Sequence, residues 1–148
     1  MGFGKGRVLA AWSPRSSTIV RRRLRRELAN CGLRQGVIDD ALLVVGELVA
    51  NAVRFGQPLP GQQIEVLWWI EPGRCWVGVT GTTRASAPVV RPVPADSVAG
   101  RGLQIVNTVA EDWGVRQTRG RTTIWAALST EGPDQPEPSP AVRPVLAH

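Results

Sequence analysis

The sequence predicts an α+β fold: a two-layer α/β sandwich with helices on one face of a mixed, mainly antiparallel sheet. Apolar residues recur at helical spacing in three segments, and β-branched and aromatic residues cluster in four short segments that close pairwise on turns. The chain has 148 residues, 43% of them hydrophobic and 20% charged, which is enough for one domain with its own core.

Three segments have the helical pattern. In residues 17–30, Val20, Leu24 and Leu28 recur every fourth position, and Gly32 follows as a stop signal. Residues 36–55 are apolar on more than one face, so this helix is predicted to be largely buried. A short third helix is predicted over residues 103–110.

The strand-forming segments make two hairpins. Residues 64–70 and 75–80 flank the turn at 71–74. Residues 113–118 and 122–128 flank the turn at 119–121.

The rest of the chain contains few regular patterns. Residues 1–15, with Gly2, Gly4, Gly6 and Pro14, are predicted to be a flexible N-terminal arm ahead of a domain over 16–129. Residues 81–99 are predicted to be a long loop of the lid or binding type. Residues 130–148 include five prolines and are predicted to be a disordered tail.

Composition excludes several kinds of chemistry. The one histidine is His148, and Cys31 and Cys75 do not form a C-x-x-C pair, so a zinc site and histidine-dependent nucleophilic catalysis lack residues. No apolar run approaches the roughly 18 residues of a membrane span. We expect a cytoplasmic protein with both cysteines reduced.

Positive charge is concentrated near the N-terminus. Residues 1–30 contain eight basic groups and one acid, whereas the remaining residues contain ten basic and eleven acidic groups. The arginines of the first helix predict either a solvated face or a contact surface for an acidic partner protein. Nucleic-acid binding ranks lower, because the sequence contains no recognised groove-reading motif.

Glu47 and Asn51 are the first candidate site residues. They lie four positions apart on one face of an otherwise apolar helix. A buried carboxylate or amide needs a compensating partner, and their oxygens suit Mg²⁺. The alternative is that both side chains face solvent or bond to neighbouring backbone groups.

Two weaker signals accompany them. Gly100 and Gly102 stand at the predicted start of a helix, where glycines and free N–H groups can approach a phosphate. Thr122 and Thr123 open the last strand, where a hydroxyl can contact a ligand base. Taken alone, the first signal favours an ordinary glycine-rich turn and the second an ordinary strand.

Taken together, these segments resemble the histidine-kinase-like ATPase superfamily. Glu47-Leu48-Val49-Ala50-Asn51-Ala52-Val53-Arg54 is similar to its N-box, and Gly100-Arg101-Gly102-Leu103-Gln104-Ile105-Val106 to its second glycine box. Arg121-Thr122-Thr123-Ile124-Trp125 resembles the strand that contributes an adenine-contacting threonine, matched by Thr123. The short chain with a basic first helix looks most like the stand-alone anti-sigma-factor type of bacterial regulator.

The resemblance implies a Bergerat-type fold that binds ATP and Mg²⁺. It makes Asn51 a metal ligand and Glu47 the catalytic base, and it assigns phosphates to the residues Gly100, Arg101, Gly102 and Leu103. The loop at 81–99 becomes the nucleotide lid. The implied partner is a sigma factor or its antagonist, with serine phosphorylation of that partner as the implied activity; a homodimer is left open.

One position departs from the family pattern. The expected adenine-binding aspartate falls on Gly81, and only neutral hydroxyls, Thr80 and Thr82, stand nearby. Losing a charge-assisted hydrogen bond costs about 1.5–3 kcal/mol. The sequence therefore leaves three alternatives: weakened ATP binding, an altered nucleotide, or a nucleotide-free protein-interaction module. Under the last of these, Gly81→Asp is expected to create or strengthen ATP binding.

Overall fold

The computed structural model describes residues 4–83 and 98–131, without the side chains of residues 98–101. Five strands and three helices follow one another within these ranges. They are β1 (Gly4–Ala11), α1 (Ser16–Asn30), α2 (Gln35–Phe55), β2 (Gln63–Glu71), β3 (Arg74–Thr82), α3 (Val98–Val109), β4 (Asp112–Thr118) and β5 (Arg121–Ser129).

The five strands form one sheet in the order β1-β2-β3-β5-β4. Both predicted hairpins are present, as β2 with β3 and β4 with β5, and β3 pairs with β5 in the centre. Every pairing is antiparallel, so the sheet predicted as mixed is antiparallel throughout the described strands.

The first strand corrects the predicted flexible arm. Gly4–Ala11 pairs along its whole length with β2, with Val8 and Ala10 packed against the core. Gly6 lies over the buried indole of Trp68, and a Cβ at position 6 would lie 2.5 Å from that ring. The glycines that suggested a loose arm thus include one that lets β1 pass over a large side chain.

The helices cover one face of the sheet, as predicted. Helix α2 lies centrally and contacts α1, α3, β3 and β5. Its apolar residues pack on inward-facing side chains of three strands. The buried strand residues on this face are Ile64, Val66, Trp68, Ile70, Cys75, Val77, Val79, Ile124, Ala126 and Leu128.

The opposite face of the sheet has a different character. Trp69 and Trp76 stack there with ring centroids 5.1 Å apart, and Trp125 lies next to them. Further along this face, the buried carboxylate of Glu65 accepts a hydrogen bond from Arg7 at 2.9 Å. None of the helices in the described part of the chain is long and apolar enough to cross a membrane.

Candidate functional site

Helix α2 brings Asn51 into the protein interior. The residue is only 7% exposed, and its Oδ1 is fully buried without a hydrogen-bond partner among the described residues. Leaving a buried acceptor unsatisfied costs about 1–3 kcal/mol. A ligand that accepts the lone pairs of this amide oxygen, such as a metal ion, would remove that cost.

Glu47 lies one turn earlier on α2 and is half-buried. Its Oε1 approaches α3 so closely that a Cβ at Gly102 would lie 2.7 Å away. Glycine at position 102 therefore makes room for the carboxylate. The structure places Gly102 beside Glu47, whereas Asn51, one turn further along α2, lines the cavity at Gly81.

The glycine box lies differently from its predicted place. Helix α3 begins at Val98, so Gly100, Arg101 and Gly102 lie inside its first two turns instead of ahead of it. The amides at the start of α3 have no intrahelical acceptor, and Leu103 is half-buried beyond them. This N-terminal turn, which carries the positive end of the helix dipole, is the candidate phosphate contact.

The predicted lid is only partly visible. Residues 81 and 82 belong to β3, and residues 98 and 99 belong to α3. Thr83 follows β3, and the rest of the predicted loop, residues 84–97, lies outside the described residues, as do residues 132–148 of the predicted tail.

The far end of the site, at Gly81, is filled by the protein itself. A Cβ at Gly81 would lie 2.5 Å from the carbonyl oxygen of Gln57 and 3.2 Å from the indole of Trp12. A small cavity of about 30 Å³ remains, lined in part by Asn51, Thr122 and Ile124. That volume suffices for a water molecule but not for a purine.

Thr80 and Thr123 do not reach this cavity. They oppose each other across β3 and β5, and their hydroxyls share a hydrogen bond of 2.6 Å on the face opposite to the helices. Side chains alternate along a strand, so the neighbouring residues Gly81 and Thr122 face the cavity instead. The structure thus moves the threonine on the ligand side from Thr123 to Thr122.

The hydroxyl of Thr122 already has a partner, since it shares a 2.5 Å hydrogen bond with Thr83. We call the region around Gly81 and Thr122 the base end of the site. It therefore offers few free polar groups among the described residues. The same end contains Trp12, which the sequence did not single out. A tryptophan just after a strand has no distinctive spacing, so only the folded structure shows that it packs against Gly81.

The donor set agrees with magnesium and disagrees with adenine. Mg²⁺ retains several waters and is usually held by one or two protein oxygens together with substrate phosphates. Asn51 supplies one such oxygen with unsatisfied lone pairs. No group of three or more histidine, cysteine, aspartate or glutamate side chains in the described ranges forms a metal cluster.

Comparison with known proteins agrees with this geometry. Residues 11–128 match the model of the histidine kinase-like ATPase domain. The chain belongs to the histidine kinase-like ATPase family. No curated protein matches it significantly.

Among solved structures, the chain is similar to one that contains the RsbU and RsbW domains of Rv1364c from Mycobacterium tuberculosis. The two share 19% sequence identity with a TM-score of 0.63, over 84% of this chain and 31% of that one. The likeness shows the fold alone, and the present chain spans about a third of that longer chain.

Proposed function

We propose that the chain is an ATP-binding regulatory protein of the anti-sigma-factor type, which holds its nucleotide mainly through the metal and phosphates. The observation that carries this proposal is the buried Oδ1 of Asn51, unpartnered among the described residues, one helical turn from Glu47, which packs against Gly102. Membership of the histidine kinase-like ATPase family and the RsbW-containing neighbour support it.

In this proposal Asn51 ligates Mg²⁺ and the first turn of α3 binds phosphate oxygens through its amides. Bound MgATP would supply the phosphoryl group. Glu47 would accept the proton of a serine hydroxyl of the partner protein while that oxygen bonds to the γ-phosphorus and ADP leaves. Glu47 is half-buried, and its Oε1 lies against Gly102 of α3.

Calorimetric titration with ATP tests the proposal. In magnesium the native chain should release or absorb measurable heat, and chelation of the magnesium should abolish it. Asn51→Ala should weaken binding at least tenfold, which corresponds to about 1.4 kcal/mol. Asn30→Ala is the matched control, because Asn30 is an exposed amide at the end of α1. Equal affinities for Asn51→Ala and the native chain would contradict the assignment.

A nucleotide-free protein-interaction module is the second candidate. It is favoured by the filled base end, where Trp12 and the Gln57 carbonyl occupy the space around Gly81. This candidate predicts no heat with any nucleotide or triphosphate at millimolar concentration, in the presence or absence of magnesium.

We also propose that α1 contacts an acidic partner protein. Its five arginines are all exposed, and two of them form only long ion pairs, Arg23 with Glu27 at 3.6 Å and Arg25 with Asp39 at 3.8 Å. Exposed charge of one sign speeds and orients docking. A gel-shift experiment with DNA and RNA distinguishes this from nucleic-acid binding, since salt-sensitive retention would indicate the latter.

We also propose that the protein resides in a reducing, cytoplasmic compartment, since both of its cysteines are free. Burial, with a smaller contribution from neighbouring Cys31, raises the pKa of the Cys75 thiol to about 12. Cys75 is therefore a core residue and takes no part in the proposed chemistry.

A further inference from the structure

The base end of the cleft is closed by a contact between two segments that the sequence separates widely. Trp12 follows β1, and its backbone N–H donates to the Gln62 carbonyl at 2.9 Å. Its half-buried indole packs against the core and lies within contact distance of Gly81 and of Gly56 at the end of α2. The ring therefore packs between the end of α2 and the end of β3.

The second closing group is the carbonyl of Gln57. Its oxygen accepts a hydrogen bond from the Thr82 backbone N–H at 2.9 Å, and Gln57 and Thr82 form an antiparallel bridge. This bridge fixes the segment after α2 to the end of β3. The carbonyl cannot move away from Gly81 without breaking the hydrogen bond.

The Trp12 ring and the Gln57 carbonyl both pack against Gly81. Any side chain at position 81 would collide with the Gln57 oxygen, and the space left by the missing side chain is where the Trp12 indole lies. An acid at position 81 would clash with the Gln57 oxygen and would press on the Trp12 ring, which lies 3.2 Å from the Cβ position. The loss of the acid is thus accompanied by a bulky apolar side chain that fills the base end.

The proposed phosphate contacts lie further from this closure along α2. Glu47 lies beside Gly102 of α3, whereas Trp12 packs near Gly56, about two and a half helical turns beyond Glu47. Asn51 lies between the two ends and lines the residual cavity of about 30 Å³. In the proposed function, a ligand would engage Asn51 and the first turn of α3 while its base stays outside the filled base end.

We infer that this site binds magnesium triphosphates without selecting the base, because Trp12 takes the place that a purine would need. The inference rests on the proposed function and specifies its ligand class. The site contacts the triphosphate and the metal, and the nucleoside contributes little. ATP, GTP and inorganic tripolyphosphate should bind with similar affinities in magnesium.

The test is a calorimetric panel of ATP, GTP and tripolyphosphate on the native chain, which needs no variant. The inference expects the three dissociation constants to agree within about threefold, a difference of less than 1 kcal/mol. ATP binding tenfold or more tighter than both GTP and tripolyphosphate would overturn the inference and leave the proposed function standing. Failure of all three ligands to bind would overturn the proposed function and, with it, the inference.

Trp12→Ala gives an independent test of the closing group. Opening the base end should strengthen ATP and GTP relative to tripolyphosphate by about fivefold or more, since stacking of a base on apolar side chains becomes available. Trp69→Ala is the matched control, because Trp69 lies on the opposite face of the sheet. An unchanged ratio in a folded Trp12→Ala protein would count against the closing role.

Discussion

For Gly81→Asp, the sequence and the structure lead to opposite expectations about ATP binding. The family pattern suggests that the aspartate would create or strengthen ATP binding. In the structure its Cβ would lie 2.5 Å from the Gln57 carbonyl oxygen and 3.2 Å from the Trp12 ring. The oxygen belongs to a hydrogen-bonded backbone segment, so it cannot yield as a flexible side chain would.

The magnitude has two parts. Overpacking a well-packed interior costs about 1–3 kcal/mol. Burying a carboxylate beside a carbonyl oxygen adds a desolvation cost of at least about 2 kcal/mol, because no donor compensates it. Gly81→Ala carries the first cost alone, and Gly81→Asp carries both. We therefore expect Gly81→Asp to be the less stable of the two and to gain no ATP affinity.

Urea unfolding followed by tryptophan fluorescence measures the stability of Gly81→Asp and Gly81→Ala. Calorimetric titration measures their ATP affinity. With a slope of about 1–3 kcal/mol per molar urea, a loss of 2 kcal/mol lowers the midpoint by roughly 1 M. Gly46→Ala is the control, because its Cβ would meet only the Arg21 Cδ, at 3.7 Å in ordinary contact. Within a helix that substitution should stabilise by about 0.5–1 kcal/mol. A Gly81→Asp protein as stable as the native chain, with tenfold tighter ATP binding, would refute the reasoning.

Three further predictions concern stability and reactivity. Asn51→Leu should stabilise the metal-free fold by about 1–3 kcal/mol in urea, since it removes a buried acceptor with no partner among the described residues; lower stability would show that Oδ1 is satisfied in solution. Cys75, with its pKa raised to about 12, should stay protonated through pH 10 and react with a thiol reagent only after unfolding; rapid reaction in the native state at pH 8 would contradict its burial. Glu65→Gln should cost about 1 kcal/mol at low salt and less at 1 M salt, because its partners Arg7 and Arg121 are largely exposed; a cost independent of salt would exclude the ion pairs as its source.

Much of the architecture follows from hydrophobic periodicity. The Val20, Leu24 and Leu28 stripe predicts α1 to within a residue at its start, and the apolar run of α2 predicts both its limits and its burial. These patterns are strong because a helix can bury its apolar stripe only at that spacing. The two hairpins follow from turn residues between strand-forming segments.

Strand β1 could not be predicted in the same way. Glycine at positions 4 and 6 lowers strand propensity, and its apolar residues alternate over only a few positions. What stabilises the strand is pairing with β2 and the fit of Gly6 over Trp68, which are contacts between distant parts of the chain. Local propensity contains no information about such contacts.

In the candidate site, too, local sequence patterns predict some features and contacts between distant segments determine the others. The pairing of Glu47 with Asn51 follows from helical spacing alone, and it is present. The choice of Thr123 over Thr122 required the side-chain parity of β5, and the role of Trp12 required the packing of β1 onto the end of α2. A one-residue uncertainty in a strand reverses the face on which a side chain lies.

The central claim is that the site binds metal and phosphates beside Asn51 and Glu47, while Trp12 and the Gln57 carbonyl fill its base end. Two-dimensional NMR of the labelled native chain during titration with MgATP tests it most directly. The account predicts shifts concentrated at the Asn51 side-chain amide and the backbone amides of the first turn of α3, with little change at Gly81, Thr122 and the Trp12 indole. Large shifts at those three residues, with none at Asn51 and the first turn of α3, would contradict it.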